Sequence, residues 1–110
     1  MNHINKLLAI LVLSLCCSPA WSWDGAVTGR IGALEITHDS NYGFRVWLVN
    51  EPAMCGNQNA WAYLNESDSN YKTYVAALIA ARQAGDTVTI YATRDASGYC
   101  KIGHASLHSS

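Results

Sequence analysis

Residues 71–93, YKTYVAALIAARQAGDTVTIYAT, switch from one hydrophobic period to another, and the rest of the chain is read outward from that switch. Tyr71, Tyr74, Val75, Leu78 and Ile79 recur at i, i+3, i+4, i+7 and i+8, the stripe of an amphipathic helix, and Ala76, Ala77, Ala80 and Ala81 add helix propensity. Asp68, Ser69 or Asn70 can cap the start, and Gly85 ends it. Lys72 and Arg82 fall on the side away from the stripe. From 87 to 93 the period becomes two. Val88 and Ile90 alternate with Thr89 and Tyr91, as in a strand with one buried face.

The flanking segments keep that strand period. Residues 30–37 (RIGALEIT) place Leu34 and Ile36 on one face and Ala33, Glu35 and Thr37 on the other. The turn-rich segment 38–43 (HDSNYG) connects them to 44–50 (FRVWLVN), where Phe44, Val46 and Leu48 oppose Arg45, Trp47 and Val49. The two runs are expected to form an antiparallel hairpin. Glu51-Pro52 breaks the pattern and 56–59 is loop. A short third strand at 60–65 (AWAYLN) alternates Ala60, Ala62 and Leu64 with Trp61 and Tyr63. Beyond the turn at 94–98, where Gly98 is free to take a positive φ, residues 99–107 form a last strand bent at Gly103. The order β-β-β-α-β-β predicts a mainly β protein with one helix, a five-stranded OB-fold barrel. A ferredoxin-like sandwich needs a helix after its first strand, and 38–43 leaves no room for one. A barrel this small is filled by its own side chains, so a ligand must sit outside it or between copies.

The chain has 110 residues, and its first part does not belong to the barrel. Lys6 precedes an uncharged run at 7–17 (LLAILVLSLCC), followed by Ala20-Trp21-Ser22, the small-x-small end of a secretory signal peptide. The run is too short to span a bilayer. Cleavage is expected after Ser22, which makes 1–22 a signal peptide and 23–110 a single secreted or periplasmic domain. Ser14-Leu15-Cys16 only loosely resembles a lipid-attachment site, because Leu15 stands where a small residue is required. The remaining domain carries six basic and eight acidic residues, a net charge of −2 that gives no general attraction to phosphate and argues against a nucleic-acid partner. No later apolar run suits membrane insertion. Cys16 and Cys17 leave with the signal, so Cys55 and Cys100 are expected to pair as a disulfide. Closing a loop of about 46 residues restricts the unfolded chain by roughly 4 kcal/mol.

The combined pattern consists of a signal peptide, two early strands, a lone cysteine, a Tyr- and Ala-rich helix, then Gly85, Val88, Ile90 and Tyr91, and a second cysteine near the end. It resembles the subtilase-cytotoxin B-subunit type, bacterial exported OB-fold proteins related to the receptor-binding subunits of toxins with one A and five B chains. The resemblance covers nearly all of 23–110 and is strongest from Tyr71 to Tyr91. It implies a homopentamer, carbohydrate binding directed at sialylated or related glycans on host cells, and a host glycan or a toxin A subunit as partner. No glycan-contacting residue is carried over by position.

The outward sets of the strands form the main candidate for binding or interface: Arg45, Trp47, Trp61, Tyr63 and Tyr91, with Thr89 beside them. Three readings apply. The stripe packs beneath a part of the same chain, it meets another copy, or it offers Trp and Tyr faces on which sugar rings stack. His38, His104 and His108, with Glu35, lack a nuclease motif and a cationic cluster for phosphate, so no catalytic residue is assigned. No metal ligand is assigned either: His104 and His108 at spacing four suit a helix, and this segment is a strand. Ser40 and Ser97-Gly98 lie in turns, and Gly29-x-x-Gly32 precedes no helix, which excludes a phosphate loop. Asn65-Glu66-Ser67 fits a glycosylation pattern by accident. The expectation is a non-enzymatic binding module without a cofactor. The alternatives are an inhibitor of a secreted or periplasmic hydrolase acting through 38–43 or 51–59, and a small secreted ribonuclease.

Overall fold

The computed structural model describes residues 22–38 and 41–109, and the expected signal peptide, 1–22, lies outside that range except for its last residue. Five strands, β1 (Gly25–Ile36), β2 (Phe44–Leu48), β3 (Ala62–Leu64), β4 (Thr87–Arg94) and β5 (Cys100–His108), and one helix, α1 (Tyr71–Ala84), follow in the order β1-β2-β3-α1-β4-β5. The protein is mainly β, and its sheet closes on itself in the order β1-β2-β3-β5-β4. All pairings are antiparallel except β3 with β5.

Closure depends on β1, which begins earlier than the expected 30–37. Residues 25–30 pair with β4 and residues 31–36 pair with β2, with an irregularity between Ile31 and Ala33 where the strand changes partner. A bulge of this kind bends a strand and increases its twist, which a ring of five strands requires. The early half escaped the periodicity reading because Gly25 and Gly29 leave Val27 as its only large apolar residue.

The core follows the alternation. Phe44, Val46 and Leu48 of β2, Ala62 and Leu64 of β3, and Val88, Ile90 and Ala92 of β4 are buried together with Ile102, Leu78, Ala81 and Met54. Two inward-facing residues depart from it. Ile36 stands opposite Phe44, yet it is 72% exposed. Leu107 stands opposite Val88, yet it is 45% exposed. The cause is the same at both. Past Arg30, β1 no longer pairs with β4, and past Lys101, β5 no longer pairs with β3, so the ring is open beside these segments.

Helix α1 lies between these open stretches. Leu78 and Ala81 are buried, and Tyr71, Tyr74 and Val75 pack against the core. Asn70 takes the N-cap position with φ 60 and makes no capping side-chain bond. The C-terminus ends in a Schellman motif: Gly85, at φ 72, donates its amide to the Arg82 carbonyl at 3.2 Å, and Asp86 donates to Ala81 at 3.0 Å. No helix among the described residues is long and apolar enough to cross a membrane. The third strand, expected at 60–65, contracts to Ala62–Leu64, and Trp61 lies just before it.

Candidate functional site

The side chains opposite the core form a row across four strands. Glu35 on β1 faces Arg45 on β2, Arg45 faces Tyr63 on β3, and Tyr63 faces Lys101 on β5. Aromatic rings gather over this row with Trp61 as their hub. Tyr99 stacks on Trp61 at a centroid distance of 5.0 Å and an interplanar angle of 29°, and the Arg45 guanidinium carbon lies 5.0 Å from the Trp61 ring. Trp47 and Tyr63 each lie 6.2 Å from Trp61 in tilted contact. Tyr42 is edge-on to Trp61, Tyr63 and Tyr99, at 5.8, 4.7 and 4.9 Å. Offset and edge-to-face pairs suit the ring quadrupoles, and a cation over Trp is attracted by the same charge distribution.

Local structure explains why these rings meet. Tyr42 sits at φ 53, a region that costs a bulky residue on the order of 1 kcal/mol. This turn aims its carbonyl at Arg45 Nε, which donates to it at 3.1 Å, while Arg45 Nη2 donates to the Asn41 carbonyl at 3.2 Å. On the other side, Cys55 and Cys100 form the disulfide, with S–S 2.07 Å and both residues buried. Asn57 donates to the Gly98 carbonyl at 2.7 Å. These links tie the loop that precedes Trp61 to the hairpin that carries Tyr99.

Asp95 completes the arrangement. Tyr63 donates its hydroxyl to Asp95 Oδ2 at 2.6 Å, and Oδ1 accepts the amides of Ser97 at 2.8 Å and Tyr99 at 2.9 Å. Burial raises the Asp95 pKa, but these hydrogen bonds outweigh it and hold the carboxyl below its ordinary value. Tyr63 shifts upward, first through burial and then through its bond to Asp95, so its hydroxyl stays protonated well past the usual phenol range. Although Tyr63 faces outward, it is only 4% exposed. It is therefore the foundation of the patch and not part of its surface. Tyr99, 37% exposed, and the half-buried Trp47 form the rim.

Of the five outward residues expected from alternation, four converge here: Arg45, Trp47, Trp61 and Tyr63. The fifth, Tyr91, belongs to another cluster. Trp23 lies 5.9 Å from Tyr91 and 6.4 Å from His104, and Tyr91 meets His104 edge-on at 4.9 Å. The Trp23 ring covers Gly103, the residue skipped in the register between β4 and β5. Tyr42, Tyr99 and Asp95 were not legible as site residues, because they lie in or next to turns, where no period assigns a side chain to a face. For Tyr99, the only available signal was that it directly precedes Cys100.

The other candidates are dispersed. His38 is exposed, His104 is in the Trp23 cluster, and His108 lies 3.0 Å from the Thr89 hydroxyl, which also meets Thr28 at 2.7 Å. Glu35 pairs with Arg45 at 3.9 Å. Asn65 uses its side-chain oxygen to accept the Gly43 amide at 3.0 Å. Ser40 lies outside the described residues. Among the described residues, no group of three or more His, Cys, Asp or Glu could hold a metal ion. No protein-family model, curated protein or solved structure matches the chain.

Proposed function

We propose that this chain is an exported, non-catalytic recognition module with the OB-fold, resembling a toxin B subunit, that offers its aromatic patch to a glycan or a partner surface and self-associates as a ring. The observation that carries this reading is the patch itself: five side chains from a turn, two strands and a disulfide-bound hairpin converge on Trp61 and leave Tyr99 and Trp47 at the rim. A fixed aromatic surface binds with little ordering cost, and the apolar faces of sugar rings pack on such rings. The OB-fold reading is supported by the ring order β1-β2-β3-β5-β4 and by α1 between β3 and β4.

Self-association draws its support from the two open stretches. Residues 31–36 of β1 and 102–107 of β5 each lack a strand partner on one side, where α1 lies between them, and each carries an exposed apolar residue, Ile36 or Leu107. Exposed apolar side chains such as these are suited to meet another copy of the chain. Two different edges on one chain suit a head-to-tail contact, which closes as a ring when the rotation permits. A homopentamer, with a toxin A subunit as a further partner, is what the resemblance adds.

Export to a secreted or periplasmic location, with cleavage near Ser22, agrees with the apolar run at 7–17 and with the disulfide. The inhibitor alternative has less to work with, since Met54 and Cys55 turn the 51–59 loop inward. Light scattering of the purified protein and binding to a printed glycan array test the proposal together. A multimer that binds glycans is expected. A monomer that binds none would end it.

A further inference from the structure

Residues 23–25, which follow the expected cleavage junction, are fastened to β4 and β5. The half-buried Trp23 ring covers Gly103, stacks on His104 at a centroid distance of 6.4 Å and lies 5.9 Å from Tyr91. Asp24 is held by backbone and side chain. Its amide donates to the Ala92 carbonyl at 3.0 Å, and its carboxylate accepts the Arg94 amide at 2.7 Å and meets the Arg94 guanidinium at 3.4 Å. The bond from the Arg94 amide, and then the guanidinium, keep the Asp24 carboxyl below its ordinary value. Gly25 stands opposite Ala92 and begins the ladder that closes the ring. Ser22, by contrast, is exposed and belongs to no strand.

We infer that Trp23 and Asp24 form a latch: the Ser22–Trp23 bond is open to the peptidase that removes signal peptides only until β1 pairs with β4, and the folded precursor resists that cut. The latch rests on the proposed export with cleavage after Ser22 and adds the order of events. Hydrolysis adds water across the bond, leaving a carboxylate on Ser22 and an α-ammonium on Trp23. To do this the peptidase must hold extended chain on both sides of the bond, with its backbone free to pair. In the folded barrel the residues after the bond are already paired. Swinging the Trp23 ring aside does not release them, because Asp24 and Gly25 still hold the backbone to Ala92 and Arg94. Exposure requires β1 to peel from β4, so cutting follows the small population in which that strand is open. The topology also sets the timing. The Asp24–Arg94 bond spans 70 residues, and Tyr91, Ala92, Arg94, Gly103 and His104 all belong to β4 and β5. A chain exported from its N-terminus meets these partners only after β4 and β5 have crossed, which leaves the junction unlatched through most of the passage.

The experiment uses the full 110-residue precursor in detergent micelles with purified signal peptidase, and mass spectrometry reads the products. The precursor is presented either folded with its disulfide or freshly diluted from urea. The folded form should be cut on the order of a hundredfold more slowly, as expected for a strand that is open about one per cent of the time. Tyr91→Ala combined with Arg94→Ala leaves the junction sequence intact and should speed cutting of the folded form by about tenfold. A flexible Gly/Ser spacer of about six residues between Ser22 and Trp23 leaves the barrel as it is, and should bring the folded form to the rate of the open chain even if the double variant does not fold. Equal rates for the folded and open parent overturn the latch and leave cleavage at Ser22 standing. Slow cutting that the spacer fails to relieve assigns the protection to the micelle and overturns the latch as well. A product that begins at a residue other than Trp23, or no product from the open chain, removes the junction and the latch with it.

Discussion

Tyr63 and Asp95, 32 residues apart, share a hydrogen bond of 2.6 Å beneath the aromatic patch, and the same carboxylate fixes the backbone of Tyr99. Asp95 thus joins the third strand to the last hairpin. Tyr63→Phe removes the donor and leaves the ring in place. It should cost about 1.5–3 kcal/mol, the range for a hydrogen bond to a charged group. Asp95→Ala removes the acceptor from a hydroxyl and two amides together and should cost more. Urea denaturation followed by fluorescence gives both values. Equal and negligible losses would show that the pair does not hold the hairpin.

The same pair gives stability a pH signature at both ends. Burial pushes the Asp95 carboxyl up, but the bonds from Tyr63, Tyr99 and Ser97 bring it below its unfolded value. Its contribution is therefore present above the unfolded carboxylate pKa and is lost as pH falls through the lower folded one. Tyr63 runs in the opposite direction. Burial and then Asp95 raise it, so its contribution is present below the unfolded phenol value, about 10, and is lost as pH rises toward the folded value. Denaturation midpoints measured across pH should show a flatter acid limb in Asp95→Asn and a flatter alkaline limb in Tyr63→Phe. Limbs that superimpose on those of the parent protein would refute the assignment.

Two glycines should respond unequally to the same added methyl group. A Cβ on Gly25 would run into the backbone of Met54 and Cys55, which the neighbouring disulfide keeps in place. A Cβ on Gly103 would run into the Trp23 ring, a side chain that can swing away. Gly25→Ala is expected to destabilise by about 3 kcal/mol or more, and Gly103→Ala by about 1 kcal/mol, from the usual cost of overpacking. Gly103→Ala should also shift the Trp23 fluorescence. Similar unfolding midpoints for the two variants would contradict this difference in packing.

The periodic elements were legible and the turns were not. Tyr71 to Thr93 combined a helical stripe, a terminal glycine and a strand alternation, and all three have local causes. Arg45, Trp47 and Tyr63 followed from alternation alone. Ile36 obeyed the alternation and was nonetheless exposed, because burial depends on whether β4 still lies across from that part of β1, a fact of the sheet and not of the segment. Tyr91 faced outward as read, but the curvature of the ring carried it to Trp23 and His104. The positions of Tyr42, Tyr99 and Asp95 come from a positive φ and from side-chain hydrogen bonds, which no hydrophobic pattern encodes.

The disulfide should matter to the patch as much as to the fold. Cys55 and Cys100 are buried, with a sequence separation of 45, so pairing them restrains the unfolded chain by roughly 4 kcal/mol in the entropic account. Tyr99 precedes Cys100 directly, and Trp61 follows the loop that Cys55 anchors, so the bond also limits how far these two rings can separate. Asn57 to Gly98 is a second link at the same place, but a single hydrogen bond contributes only about 1 kcal/mol. Cys55→Ser combined with Cys100→Ser should lower stability by about 2–4 kcal/mol. Under conditions where the variant remains folded by far-UV circular dichroism, its near-UV spectrum should lose the intensity that arises from Trp61 and Tyr99 in contact. A variant that loses stability and keeps the parent near-UV spectrum would show that Asp95 and Asn57 suffice to hold the patch together.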